Sequence, residues 1–150
     1  MRGTGGSFLD VGVGPGALLN LLTLDPSISM ACGIDIRRYT KLVEVSGTLD
    51  IRIMSVDNMS FSDEEFDTVV CMEVLEHISL PQFLKALTEL RRVAKYRLFM
   101  TVPLDEPDPL PSYHKLRFTL RDVRTHFPDA DFFLMTRKKG VPWLGILEKF

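Results

Sequence analysis

Residues 8–19 read Phe-Leu-Asp-Val-Gly-Val-Gly-Pro-Gly-Ala-Leu-Leu, an apolar strand that runs into a glycine-rich turn and opens a helix. Glycines at 12, 14 and 16 bare the main chain to a ligand, because no Cβ stands in the way and positive φ costs little. The start of the following helix brings unpaired N–H groups to the same spot. Such a turn reads as a small-molecule binding loop rather than a plain connection. Asp35 ends the segment Gly33-Ile34-Asp35-Ile36, 19 residues after Gly16. A carboxylate there can accept both hydroxyls of a ribose and so fix a nucleoside. Its plainer role is to cap the next helix; the glycine turn and the acid together favour ribose. Gly12, Gly14 and Ala17 also satisfy the looser dinucleotide pattern G-x-G-x-x-A, which makes NAD(P) or flavin the rival ligand. Two features count against that rival. Pro15 and Gly16 make a G-x-G-x-G turn, and a further acid, Asp57, follows the third strand, where an acceptor suits an adenine amine. Asp before Asn is also an ordinary turn former.

These residues need a scaffold, and the periodicity supplies one. Apolar runs predict strands over 7–12, 30–36, 50–54, 66–72, 97–102, 132–137 and 144–149. The run at 66–72 is almost wholly apolar, the pattern of a strand buried on both faces. Helices are predicted over 17–24, 37–45, 80–93 and 119–127. The helix at 80–93 carries Phe83, Leu84, Leu87, Leu90 and Val93 at helical spacing, with Pro81 in its first turn. Thr119 and Asp122 make a capping pair for the last one. Four prolines stiffen 103–112 into a loop. Alternating strands and helices predict an α/β fold: a doubly wound, mostly parallel, seven-stranded Rossmann-like sheet with helices on both faces. Ligands of such sheets sit at the carboxyl ends of the strands, where Asp10, the turn, Asp35, Asp57 and 71–77 cluster.

The chain has 150 residues, 45% apolar and 25% charged, with a net charge of −2. These values predict a single domain over 1–150 and give no general attraction to nucleic acid. Cys32 and Cys71 lie in apolar strands, as buried reduced thiols do. No apolar run has the length of a membrane span, and no targeting segment stands at the N-terminus, so a cytoplasmic location is expected.

Taken in order, the motifs resemble those of the class I S-adenosylmethionine (SAM) methyltransferases, in the group that includes the quinone-biosynthesis enzymes. The resemblance covers residues 8–127. Leu9-Asp10-Val11-Gly12-Val13-Gly14-Pro15-Gly16 resembles the first motif, and Gly33-Ile34-Asp35 the second-strand acid. Val56-Asp57-Asn58-Met59 resembles the adenine segment, residues 66–77 the fourth strand with its loop, and residues 114–119 a later stretch.

The resemblance implies roles for residues. Gly12, Val13, Gly14 and Gly16 would pass under the methionine part of SAM. Asp10 would orient its ammonium, and Asp35 would take the ribose, with Ile36 against the adenine. Asp57 and the Asn58 main chain would meet the adenine edge, and the main chain at Cys71 and Met72 the amino-acid end. An ammonium and a sulfonium call for acceptors and negative charge, so three acids around one turn suit SAM better than NAD. It implies methyl transfer to an O, N or C atom of a small molecule, with S-adenosylhomocysteine as product. Non-catalytic partner-subunit status is a further alternative. His114 and His77 are the candidate general bases, since histidine titrates near neutral pH; His114 is favoured for its place beyond the proline loop.

Glu73, Glu76, His77 and His114 also form an E-x-x-E-H…H set of metal-ligand types. It is similar to the metal site of the small-RNA 2′-O-methyltransferases, but Glu76 and His77 fit the start of a helix equally well, and the expectation adopted is no metal. Relatives carry one or two helices before the first strand that cover the cleft. The short lead here predicts a cleft that is open, covered by another subunit or a second copy, or capped by residues 103–114.

Overall fold

The computed structural model describes residues 6–39, 50–136 and 140–150. Strand β1 (Gly6–Val11) lies between β2 (Ile28–Asp35) and β4 (Phe66–Met72) and is parallel to both. Outward from β2 comes β3 (Asp50–Ile53), and outward from β4 comes β5 (Ala94–Pro103), again parallel. The sheet is completed by β7 (Pro142–Lys149) and β6 (Asp131–Thr136), giving seven strands in the order β3-β2-β1-β4-β5-β7-β6. Only β7 runs against the rest. The short connection from β6 cannot make a crossover, so β7 returns antiparallel and inserts between β5 and β6.

The expected α/β fold is therefore the observed one. Helix α1 (Ala17–Thr23) packs on β1 and β2. Its Leu19 joins Val13, Ala31 and Ile51 in a small cluster. Cys32 and Ile34, one position off Ala31 in strand phase, join the main core instead, with residues of α2 (Leu80–Val93) and α3 (Leu120–His126). Because alternate residues point to opposite faces, α1 covers one face of the sheet and α2 and α3 the other. Strand β4 is buried along nearly its whole length, as its apolar sequence predicts.

Local signals explain the helix ends. Ser79 and Gln82 form a capping box at the start of α2, and Thr119 and Asp122 another at the start of α3. Three expectations differ from the fold. Arg37–Tyr39 are not helical, and the rest of the predicted 37–45 helix lies outside the described residues. Strand β5 begins at Ala94, directly after α2, three residues before its predicted start. A single 3-10 turn, Leu75–His77, follows β4. The chain passes from β1 to β2 on one side and later reaches β4 on the other. The β1/β4 boundary is thus the switch point where a ligand crevice forms.

Candidate functional site

A cavity of about 560 Å³ opens at that switch point. Val11, Gly12, Ile34 and Asp35 form its floor; Ile36, Arg37 and Tyr39 form one side. Met54, Ser55 and Val56 stand beyond β3, and Glu73, Val74, His77, Ile78 and Gln82 beyond β4. Tyr113 and Lys115 reach over from the proline loop.

The glycine turn is locked by its own hydrogen bonds. The N–H groups of Gly12 and Val13 both donate to the Ile34 carbonyl, at 2.8 and 3.0 Å. Gly14 donates to Asp35 Oδ2 at 3.0 Å, and Gly16 to the Val13 carbonyl at 3.0 Å. Pro15 has no N–H. The turn's own amides at 12–16 are therefore already used inside the fold, and a ligand meets the turn's bare surface there. Gly12 has φ +76°, and a Cβ there would lie 2.3 Å from Val74 Cγ2. The close approach of the two chains requires a residue without Cβ. Gly33 plays the complementary part on the other face: a Cβ would meet Val13 Cγ2 at 2.6 Å. Val13 thus turns its side chain to Gly33 and Leu19, away from the cavity.

Carboxylates surround the turn. Asp35 Oδ2 accepts from Gly14, and its Oδ1 accepts the Arg37 N–H at 3.3 Å. Asp10 is buried, and burial, helped by the nearby Asp35 charge, pushes its carboxyl up to about 6. Glu73 lines the cavity with a left-handed backbone, φ 58°, and its N–H meets Thr101 Oγ1 at 3.2 Å. Such a conformation in a non-glycine residue costs roughly 1–2 kcal/mol and marks the turn after β4 as specialised.

The structure gathers some of the expected site residues and separates others. Gly12, Asp35, Ile36, Glu73 and His77 line the cavity. Asp57 and Asn58 line a neighbouring hollow with Lys85 and Arg92, and the Ser55 hydroxyl is hydrogen-bonded to Asp57. Ser55 and Val56, two residues earlier than expected, face the main cavity. Met59 and Phe61 in this loop are tied to α2: Glu89 accepts the Met59 N–H at 2.8 Å, and Arg92 donates to both carbonyls. The Cys71 thiol is fully buried, and burial raises it far above the usual range; Cys32 is pushed up to about 12 by the same cause. Both are inert core thiols. Gly14, Gly16, Cys71, Met72 and His114 do not line the cavity.

His114 lies behind the wall instead. Its Nδ1 is 2.8 Å from Glu106 Oε2, with both side chains nearly buried. Glu106 carries no sequence signal: it stands in a proline-rich loop, 8 residues from its partner, and only the folded loop joins them. The loop is itself pinned to the turn after β4, because Lys115 and Leu116 both donate to the Glu76 carbonyl. His77 meets the Tyr113 carbonyl through Nδ1 at 2.9 Å, and its ring packs against that of His114. Glu76 is wholly buried, and burial raises its carboxyl pKa. Among the described residues, its two carboxylate oxygens are the buried side-chain polar atoms without a hydrogen-bond partner. Glu76, His77 and His114 each offer one ligand atom within 4.8 Å of the others; Glu73 stands outside the group.

Comparison with known proteins fits this architecture. The methyltransferase-domain family matches residues 9–97. A structure described as a SAM-dependent methyltransferase from Archaeoglobus fulgidus superposes with a TM-score of 0.76 at 15% identity, over 95% of this chain and 85% of the other. Another so described, from Methanosarcina mazei, gives 0.70 at 17%, over 95% and 91%. The Burkholderia thailandensis 1,6-didemethyltoxoflavin-N1-methyltransferase, with bound 1,6-didemethyltoxoflavin and S-adenosylhomocysteine, gives 0.72 at 16%, over 95% and 69%. An uncharacterised protein of Methanocaldococcus jannaschii is 33% identical over 102 residues, 68% of this chain. The chain spans 42% of the length of that relative. This chain belongs to the methyltransferase-domain family and has the class I methyltransferase fold. The methyl donor of that class is SAM.

Proposed function

We propose that this chain moves the methyl group of SAM to a small-molecule acceptor. The observation that carries the proposal is the turn at 12–16, whose amides are spent internally while carboxylates stand around it. A pyrophosphate needs free N–H donors and suffers beside carboxylates; an ammonium and a sulfonium want the reverse. This favours SAM over NAD(P). The fit is also steric, since Gly12 leaves the floor of the cavity open where a Cβ would meet Val74.

Asp35 holds the ribose hydroxyls in this reading, with the oxygen lone pairs not used by Gly14 and Arg37. Asp10 lies behind the turn and supplies negative charge for the ammonium. Ile36 and Val56 give apolar surface for the adenine, while Ser55 provides an acceptor at its edge. SAM supplies a sulfonium-activated methyl group, so alignment of the acceptor is the chain's main task. His77 faces the cavity, and its Nδ1 contact with the Tyr113 carbonyl leaves Nε2 able to take a proton from an acceptor O–H or N–H. His114 is screened from the cavity by its burial, so it is the weaker base candidate.

Calorimetric titration tests this reading with SAM, S-adenosylhomocysteine and NAD⁺ as separate titrants. Micromolar binding of the first two, lost in Asp35→Ala, supports it. No heat with either at millimolar concentration, or tighter binding of NAD⁺, overturns it.

A further inference from the structure

The two ends of the sheet are built differently. At one end, β3 is four residues long and carries Asp50 and Arg52, which meet in an exposed ion pair. Short length and charge are how proteins keep a strand edge from pairing with another chain. At the other end, β6 runs six residues in unbroken register with β7. Between Asp131 and Thr136 it reads Phe132-Phe133-Leu134-Met135, with no charge and no proline. Three of those side chains are exposed: Phe133 by 48%, Leu134 by 68% and Met135 by 38%. Among the described residues, no strand pairs with the outer edge of β6.

Both faces of this edge are apolar. Phe132 packs against the main core, and Leu134 stands beyond it on the same face. Phe133 and Met135 take the opposite face. There, Gly145 of β7 leaves room for the Phe99 ring beside Phe133: a Cβ at 145 would lie 3.2 Å from the ring and 3.5 Å from Phe133 Cβ. Helix α1 packs on that face over β1 and β2, at the far end of the sheet.

The edge is complementary to itself. A twofold axis normal to the sheet sets two β6 strands antiparallel and keeps each face on its own side. With Leu134 on the axis, Leu134 meets its own copy, and Phe133 meets Met135 twice. All three exposed apolar side chains then have apolar partners. An axis at Phe133 would instead set Met135 opposite Asp131. Charge selects the same direction. In the sequence, Asp129 and Asp131 come before this apolar run, and Arg137, Lys138 and Lys139 come after it. Antiparallel pairing brings the acidic start of each strand to the basic end of the other, whereas parallel pairing sets like beside like. Asp131 already shares an exposed ion pair with Lys149 of its own chain, so the charges guide orientation and the apolar residues supply the affinity.

We propose that the β6 edge is a homodimer interface, where a second copy of this chain continues the sheet across a twofold axis at Leu134. The crevice at the β1/β4 boundary lies beyond β5 and β7 and stays open in such a dimer. SAM binding is therefore independent of the pairing.

Sedimentation equilibrium of the full chain from about 1 to 200 µM tests this, and a reversible monomer–dimer equilibrium is expected. Leu134→Lys sets two ammonium groups together on the axis and should weaken the dimer about 100-fold. Leu134→Cys adds an exposed thiol to a chain whose own cysteines are buried. Mild oxidation should cross-link it to itself, because opposed residues of paired strands stand within disulfide reach. Leu24→Cys, also exposed but at α1, should stay uncross-linked. Circular dichroism and SAM binding, both expected unchanged, report on folding in each variant. A chain that is monomeric at the top concentration overturns the proposal. So does a dimer that survives Leu134→Lys, a Leu134→Cys variant that fails to cross-link, or assembly beyond two copies.

Discussion

Two acidic residues near the ends of the strands that flank β1 have opposite surroundings. Asp35, the last residue of β2, accepts N–H groups from Gly14 and Arg37 and helps to hold the glycine turn in shape. Glu76, after β4, is more deeply buried and has no hydrogen-bond partner. The first site is finished by the chain itself and receives a ligand on a rigid surface. The second keeps a buried carboxyl group whose oxygens no hydrogen bond satisfies.

The largest test of this contrast is Gly12→Val. A side chain there collides with Val74 and forces a β-branched residue to φ +76°, so SAM binding should fall beyond calorimetric detection. Asp35→Ala removes charged hydrogen bonds worth about 1.5–3 kcal/mol each, and SAM affinity should drop roughly 100-fold. That variant should also melt lower, because the Gly14 N–H loses its acceptor.

A pH series probes the same wall more gently. Asp10 titrates near 6 in the folded chain, against 3.8 ordinarily. Above that pH the carboxylate is charged and can attract an ammonium; below it the charge is lost. SAM affinity measured by calorimetry should fall about 10-fold from pH 7 to pH 5, and Asp10→Asn should flatten the profile. The stability effect has the opposite sense. The folded state holds this proton more tightly than the unfolded chain does. Stability is therefore highest below about 4 as far as Asp10 is concerned, and declines as pH rises to about 6.

Glu76→Gln reverses the direction seen for Asp35. Replacing a buried carboxyl group that lacks hydrogen-bond partners with a neutral amide should raise stability by about 1 kcal/mol, or roughly 3 °C in a thermal melt. A lower melting temperature would argue that Glu76 has an unseen partner within the chain. Lys149→Ala serves as the floor of the scale. Its ion pair with Asp131 is exposed on both sides, and its loss should change stability by less than about 0.5 kcal/mol.

Much of this architecture is legible in the sequence because its determinants are local. Strand β4 and helix α2 fall at the positions that periodicity predicts, 66–72 and 80–93. Capping boxes at Ser79 and Thr119 fix helix starts within a few residues of chain. The error at β5 has a local cause too: Lys95 and Tyr96 interrupt the apolar run, yet Ala94 already pairs with Phe66. The reversed strand β7 left no such trace, since direction is set by the short return from β6 and by what it packs against.

The sequence by itself determined the sheet-and-helix alternation, the glycine turn and the acid that ends β2, because each depends on residues a few positions apart. Only the tertiary structure decided which groups those residues meet. It spent the turn's amides on Ile34, Asp35 and Val13, sent Asp57 to a neighbouring hollow and joined Glu106 to His114. It also left Glu76 without a partner beside two imidazoles. Pairing and desolvation between distant segments arise from packing in three dimensions, and no local pattern of residue types encodes them.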